Sequence, residues 1–255
     1  MNQYARFSAI TAALVVLSLA PATQAISAEI SGVPTIAEGD RIQIGGRRIR
    51  LLGIDAPSID QLCLNAKGEQ WTCGIAARDA LAQRTKDLPW TCQSTRNDRF
   101  GRALARCEVK GEDIQKWMVR SGWALAFTRA TRVDTQAAAN YQADEAEARK
   151  ARAGIWAGSF FAPWDWRVRN KKAPLLGAFH APESARLPLM ASASGSHPPS
   201  PGCRIKGNVN RSGYCIYHQP HSRWYAKIKM DIAKGTRWFC SVDDAKAAGC
   251  RETRR

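Results

Sequence analysis

Glu38-Gly39-Asp40-Arg41-Ile42-Gln43-Ile44-Gly45-Gly46-Arg47-Arg48-Ile49-Arg50-Leu51-Leu52-Gly53-Ile54-Asp55-Ala56-Pro57 reads as a hairpin. Arg41 to Ile44 alternates polar and apolar residues, Gly45-Gly46 supplies the turn, and Arg47 to Ile54 alternates again. One face of such a pair can be buried while the other carries charge. Its two ends hold acidic residues, Asp40 at the start and Asp55 just beyond the second strand.

Working outward, Trp90 to Thr95 and Arg102 to Val109 form a second hairpin around Asn97 to Gly101. With that turn centred between Arg99 and Phe100, Cys92 and Cys107 fall opposite each other, and a cross-strand disulfide needs no shift of register. Cys63 and Cys73 would close a small loop before the first helix. Helix signals follow. Gly74 to Leu88 carries Ile75, Leu81 and Leu88 and is stopped by Pro89. Asp113 caps a segment with Ile114, Trp117, Met118 and Ser121 on one face, ended by Gly122. Asp134 or Thr135 opens a long Ala/Glu/Arg-rich helix that ends at Gly154. Trp117, Met118, Tyr141 and Trp156 are expected in the core.

The chain has 255 residues, with 38 Lys+Arg against 22 Asp+Glu and a formal net charge of +16. That imbalance argues for a polyanionic partner: nucleic acid, an acidic polysaccharide or an anionic membrane face. Residues 1–25 read as a signal peptide, with Arg6, an apolar run from Phe7 to Ala20, and small residues up to Ala25; Ala28 is a second cleavage candidate. The run is short against the roughly 20 residues of a spanning helix, although an uncleaved N-terminal anchor is the alternative. Eight cysteines agree with export to an oxidising compartment, periplasmic or extracellular, and none forms a Cys-x-x-Cys pair, which argues against a zinc ribbon.

Strands that make a small barrel, interleaved with and followed by helices, match the OB-fold, an architecture used for nucleic acids and oligosaccharides. Glu38-Gly39-Asp40, Arg50-Leu51-Leu52-Gly53-Ile54-Asp55-Ala56-Pro57 and Asp98-Arg99-Phe100-Gly101-Arg102 follow in the order and spacing of the staphylococcal nuclease (thermonuclease) family, which the chain resembles from Ile36 to Trp156. Gly154-Ile155-Trp156 resembles that family's closing motif. The resemblance implies an α+β fold, a five-stranded barrel with three helices. It also implies a calcium site built on Asp40, Asp55 and the Ala56 carbonyl. Arg50 and Arg102 would hold the phosphate, and DNA or RNA would be cleaved at the 5′ oxygen to leave 3′-phosphate ends. Arg99 and Phe100 are the expected substrate contacts.

Two positions depart from the family. Ser58 stands where the family carries the glutamate that orients or deprotonates the attacking water, and serine is no comparable base. Asp60, and less directly Glu69, are the nearby carboxylates. Phe100 replaces a tyrosine, and further pocket tyrosines have no match around Phe127 to Ala130. An active nuclease of reduced rate is one reading. A degenerate nuclease fold that binds nucleic acid or acidic exopolysaccharide is the other.

The expected organisation is a signal peptide over 1–25, a nuclease-like domain over 29–168, a flexible Pro-rich linker over 169–201 and a small basic module over 202–255. The module holds 12 Lys and Arg against 4 Asp and Glu. Its cysteines, Cys203, Cys215, Cys240 and Cys250, allow three pairings, of which Cys203–Cys240 with Cys215–Cys250 is the expected one. His218 and His221 near Cys215 do not have a recognised zinc spacing. The mature chain is expected to be monomeric, with no membrane span.

Overall fold

The computed structural model describes residues 28–127, 135–191, 204–209, 215–231, 236–239, 241–247 and 250–253. The expected signal peptide, Asp134, Cys203 and Cys240 lie outside the described residues. Among the described residues no helix is long and apolar enough to cross a membrane.

The first hairpin forms as read. β2 (Thr35–Glu38), β3 (Arg41–Ile44) and β4 (Arg47–Leu51) run antiparallel, with Arg41 opposite Arg50 and Ile42 opposite Ile49. β8 (Trp90–Asn97) and β9 (Ala103–Val109) form the second hairpin. The sheet order is β1-β8-β9-β4-β3-β2, with β1 (Ala28–Gly32) on one edge and the short β10 (Glu112–Asp113) added to β9. β4 and β9 are parallel; the other pairs are antiparallel. The sheet curls until Gly32 lies under the Ile44 side chain. This is the OB-fold α+β architecture. Counting short strands gives seven in the sheet rather than five. Ile42, Ile44, Ile49, Leu51, Trp90 and Ala105 fill its concave side.

Cys92 pairs with Cys107 across the ladder, and Cys63 with Cys73, both as expected. The turn between β8 and β9 differs in one detail. A bulge between Ser94 and Arg96 shifts the register by one, so the tip spans Asp98 to Arg102. Asp98 builds that tip. Its carboxylate accepts from the Phe100 and Arg102 backbone N–H groups at 2.8 and 3.0 Å and from Arg102 Nε at 2.6 Å. Gly101 supplies the left-handed residue (φ 73°) that closes it.

Three helices cover the barrel. α1 (Cys73–Arg84) ends a turn before Pro89, because Thr85 Oγ1 donates back to the Leu81 carbonyl and Asp87 turns left-handed. α2 (Ile114–Arg120) is capped by Asp113, which accepts from Lys116 N at 2.9 Å. α3 (Thr135–Lys150) opens at Thr135. Met118, Tyr141 and Trp156 are buried as expected, whereas Trp117 is only half-buried under the Arg84 guanidinium.

Residues 169–191 are not a free linker. After a turn at Gly154–Ala157, β12 (Phe160–Phe161) pairs with β13 (Leu175–Leu176), enclosing α4 (Pro163–Arg167). α5 (Arg186–Met190) then buries Leu189 and Met190 against Leu64, Phe161 and Trp166. Proline content suggested a spacer, but the leucines, Phe179 and Met190 between the prolines cover an apolar patch left by β12 and the short β6 (Cys63–Leu64), which pairs with β7 (Gln70–Trp71). The remainder of the expected linker, 192–201, lies outside the described residues.

The C-terminal module is a four-stranded sheet, β16-β14-β15-β17, made by β14 (Ile205–Val209), β15 (Cys215–His218), β16 (Arg237–Phe239) and β17 (Arg251–Glu252), with α6 (Val242–Ala247) packed on it. Cys215 is bonded to Cys250, the expected partner. His218 Nε2 meets Asn208 Oδ1 at 3.0 Å, so this histidine is part of the sheet's packing.

Candidate active site

The turn from β2 to β3 and the strand end after β4 meet because of Gly39. A Cβ there would lie 2.8 Å from the Ala56 Cβ and 3.1 Å from Met118 Cε, so only glycine lets the 38–40 turn close onto the 55–57 segment. Asp40 and Asp55 are thereby brought together, both fully buried. Asp55 lies on β5 (Ile54–Asp55), which pairs with β11 (Leu125–Ala126).

Arg50 stands between the two carboxylates. Its Nη2 is 3.3 Å from Asp40 Oδ2 and 3.3 Å from Asp55 Oδ1. Arg41, opposite it across the hairpin, donates from Nη1 to Glu38 Oε1 at 2.9 Å and places Nε 3.7 Å from Asp40 Oδ1. A further guanidinium arrives from far along the chain: Arg167 of α4 donates from Nη2 to Asp55 Oδ2. Three carboxylates and three guanidiniums therefore interleave at one end of the barrel.

Burial, reinforced by Asp40, pushes the Asp55 carboxyl up to about 6, against the pull of Arg167 and Arg50. Burial pushes Glu38 up to about 7, opposed by Arg41 and reinforced by Asp40. Burial works against the Arg50 charge, but Asp40 and Asp55 more than offset it and hold its pKa above the usual arginine value.

The donor set can be judged on its free atoms. Among the described residues no three His, Cys, Asp or Glu side chains form a ready metal cage. Yet Asp40 Oδ1 and Oδ2, Asp55 Oδ1 and Glu38 Oε2 are buried and accept no hydrogen bond. Buried carboxylate oxygens held by ion-pair contacts without a hydrogen bond are incompletely satisfied, and oxygen ligands of this kind fit a hard divalent cation that keeps several waters.

The other expected residues are placed differently. Arg102 is tied to Asp98 through Nε and, at 2.5 Å, Nη2, and lies over the Phe100 ring at 5.2 Å. Arg99 lies over the same ring at 4.8 Å, and Phe100 is 56% exposed. These three sit on the β8–β9 tip, which Arg48 fastens to β4 by donating to the Phe100 carbonyl at 2.9 Å. Asp98 reaches the centre only as a longer-range influence on Arg50. Ser58 is buried three residues after Asp55, and Asp60 acts on Glu38 at a distance. Glu69 is turned away and accepts from Asn65 Nδ2 at 2.7 Å inside the disulfide loop. Arg41 and Arg167 were missed from sequence. The Gly45-Gly46 turn implies that Arg41 faces Arg50, whereas no local signal marks Arg167.

Residues 48–158 match the family described as staphylococcal nuclease homologue. The chain is 33% identical over 129 residues to the succinoglycan biosynthesis protein ExoI of Rhizobium meliloti, covering 50% of this chain and 64% of that protein. It is 30% identical over 126 residues to the staphylococcal-like nuclease CAN1 of Arabidopsis thaliana, covering 49% of this chain and 34% of that protein. A probable staphylococcal-like nuclease CAN1 of rice (Oryza sativa subsp. japonica) is 28% identical over 137 residues, 53% of this chain and 37% of that protein. The matches thus span less than two thirds of each of these relatives. Arg50, Asp55 and Arg102 fall inside the matched domain; Asp40 precedes it and Arg167 follows it. With its barrel and its carboxylate–arginine centre, the chain carries a domain of the staphylococcal nuclease-like family over residues 48–158.

Proposed function

We propose that this chain is an exported, calcium-dependent nuclease that hydrolyses phosphodiester bonds of DNA or RNA. The observation that supports it most is the single cluster of Asp40, Asp55 and Arg50, with buried carboxylate oxygens that accept no hydrogen bond beside a guanidinium. Asp40, Asp55 and the Ala56 carbonyl would hold the cation, which when bound supplies positive charge to the phosphoryl oxygens and acidity to water. Arg50 binds the phosphate through forked hydrogen bonds and meets the charge that builds on it. Ser58 can orient a water by hydrogen bonding but cannot take its proton, so the chemical step is slow relative to a site with a carboxylate there. The disulfides agree with an oxidising compartment.

Full-length protein with its disulfides formed is expected to digest single-stranded DNA or RNA with calcium and not with a chelator. Asp40→Ala and Arg50→Ala should each lower the rate on the order of 10²–10³. Digestion no greater than that of Asp40→Ala would defeat the proposal. A second reading, a binding module for nucleic acid or acidic exopolysaccharide, is favoured by Ser58 and by the name of the Rhizobium relative. It predicts calcium-independent binding with no cleavage.

A further inference from the structure

Resting on the nucleic-acid reading above, we propose that Arg167 is the second phosphate-binding guanidinium of this site, and that Trp164 beside it is a base-stacking wall. Both lie on α4, outside the segment that matches the family. One carboxylate gathers the two arginines: Asp55 Oδ1 lies 3.3 Å from Arg50, and Oδ2 accepts from Arg167. Their tips are therefore no farther apart than one carboxylate can bridge, the separation a single phosphate, with its oxygens spread around phosphorus, can also bridge. Arg167 Nη1 is buried and donates to nothing, so the guanidinium has hydrogen-bonding capacity left over at the site. Arg102 lies instead on the hairpin tip, beside Asp98 and Phe100.

The helix that presents Arg167 is short but firmly set. Pro163 opens it, Trp166 is buried and donates from Nε1 to the Leu189 carbonyl at 3.0 Å, and Asn170 Nδ2 donates to Asp165 Oδ1 at 2.9 Å. Trp164 lies three residues before Arg167, so the two share a helix face. Its ring is 5.4 Å from that of Phe127, whose backbone N–H donates to the Gly53 carbonyl, two residues before Asp55. Both aromatics are half-buried. Trp164 also packs against the cluster of Leu125, Ile155 and Phe160, which fixes its ring. A guanidinium pair with a fixed, half-buried aromatic on the same short helix suits a single strand, with phosphate on the arginines and an unpaired base against the ring. The segment just beyond the family match thus holds part of the substrate site.

Fluorescence anisotropy of a labelled eight-nucleotide DNA single strand, titrated with the full-length disulfide-bonded chain in chelator at several salt concentrations, tests this without turnover. Arg167→Gln, which can still donate to Asp55, should weaken binding and flatten the slope of log affinity against log salt by about 0.7, one phosphate contact on a single strand. Arg102→Ala should leave the slope as it is. Trp164→Ala should weaken binding about tenfold with an unchanged slope, and Trp164→Phe should restore it. A parental slope in Arg167→Gln overturns the proposal. If Arg50→Ala flattens the slope while Arg167→Gln does not, only this proposal fails. If the parent binds the strand neither in chelator nor with calcium, the nucleic-acid reading falls with it.

Discussion

Ser58 is 7% exposed, and its carbonyl oxygen lies 1.7 Å from where Gly74 would carry a Cβ, so α1 presses its first turn directly against the segment that follows Asp55. Nothing charged stands at this position to accept a proton from water. Two carboxylates of this region have other partners: Glu38 is paired with Arg41, and Glu69 belongs to the disulfide loop. Ser58→Glu should therefore raise the calcium-dependent rate on single-stranded DNA on the order of 10²-fold, the usual worth of a positioned base. It should also destabilise the fold by about 1–3 kcal/mol, because three more heavy atoms enter a packed position. Initial rates and thermal unfolding of the same preparation measure the two effects. An unchanged rate in a folded variant would count against an assembled catalytic centre and for the binding reading. The aspartates and Arg50 could be read from sequence because each is fixed by residues within a few positions: a glycine turn, a strand end, an Asp-x-Pro corner. Arg167 could not be. It reaches Asp55 across 112 residues, and only the packing of Trp166 and Leu189 decides where it points.

The β8–β9 tip shows what an element adds to its residues. Asp98 accepts two backbone N–H groups and holds Arg102, so one carboxylate shapes the turn and aims the cations on it. Burial works against its charge, but the hydrogen bonds and the charge of Arg102 outweigh it and keep the Asp98 pKa below the usual aspartate value. The folded turn thus binds its proton more weakly than the unfolded chain does. Its contribution to stability is complete above the unfolded pKa near 4 and is lost as pH falls through the lower folded value. Asp98→Asn should remove that acid-side dependence and destabilise the protein by about 1–2 kcal/mol at neutral pH, read from urea unfolding between pH 3 and 7; an unchanged pH profile would show that the turn does not depend on this carboxylate. The hairpin and its Cys92–Cys107 staple were legible because turn residues and alternation are local signals. The bulge between Ser94 and Arg96 was not, since it answers to how the sheet curls against β1 and β4.

On the scale of the whole molecule, the module that follows residue 202 is tied to the barrel through the helix that also supports the site. Arg237 of β16 donates from Nη1 to Asp79 Oδ2 on α1, and Arg78 Nη2 reaches the same carboxylate at 3.0 Å. Both arginine side chains are 7% exposed. Burial, and then the charge of Arg78, push the Arg237 pKa down to about 8, so this contact is held by the carboxylate between two cations that would otherwise repel. Two residues away in the same helix, Ala77 packs under Gly39, the glycine that lets Asp40 meet Asp55. Composition could report the module's charge and cysteines but not this anchorage, because a part-buried Arg–Asp–Arg bridge has no local sequence mark. Removing one partner of a buried pair costs about 3–5 kcal/mol, since the remaining charge is left in low dielectric. Asp79→Ala should lose that much in equilibrium urea unfolding, and Arg237→Met, which deletes the charge and keeps apolar bulk, should lose less. The double variant should recover part of the loss, a coupling that separates docking from simple damage to α1. Strictly additive losses would mean that the module and the barrel do not depend on each other through this bridge.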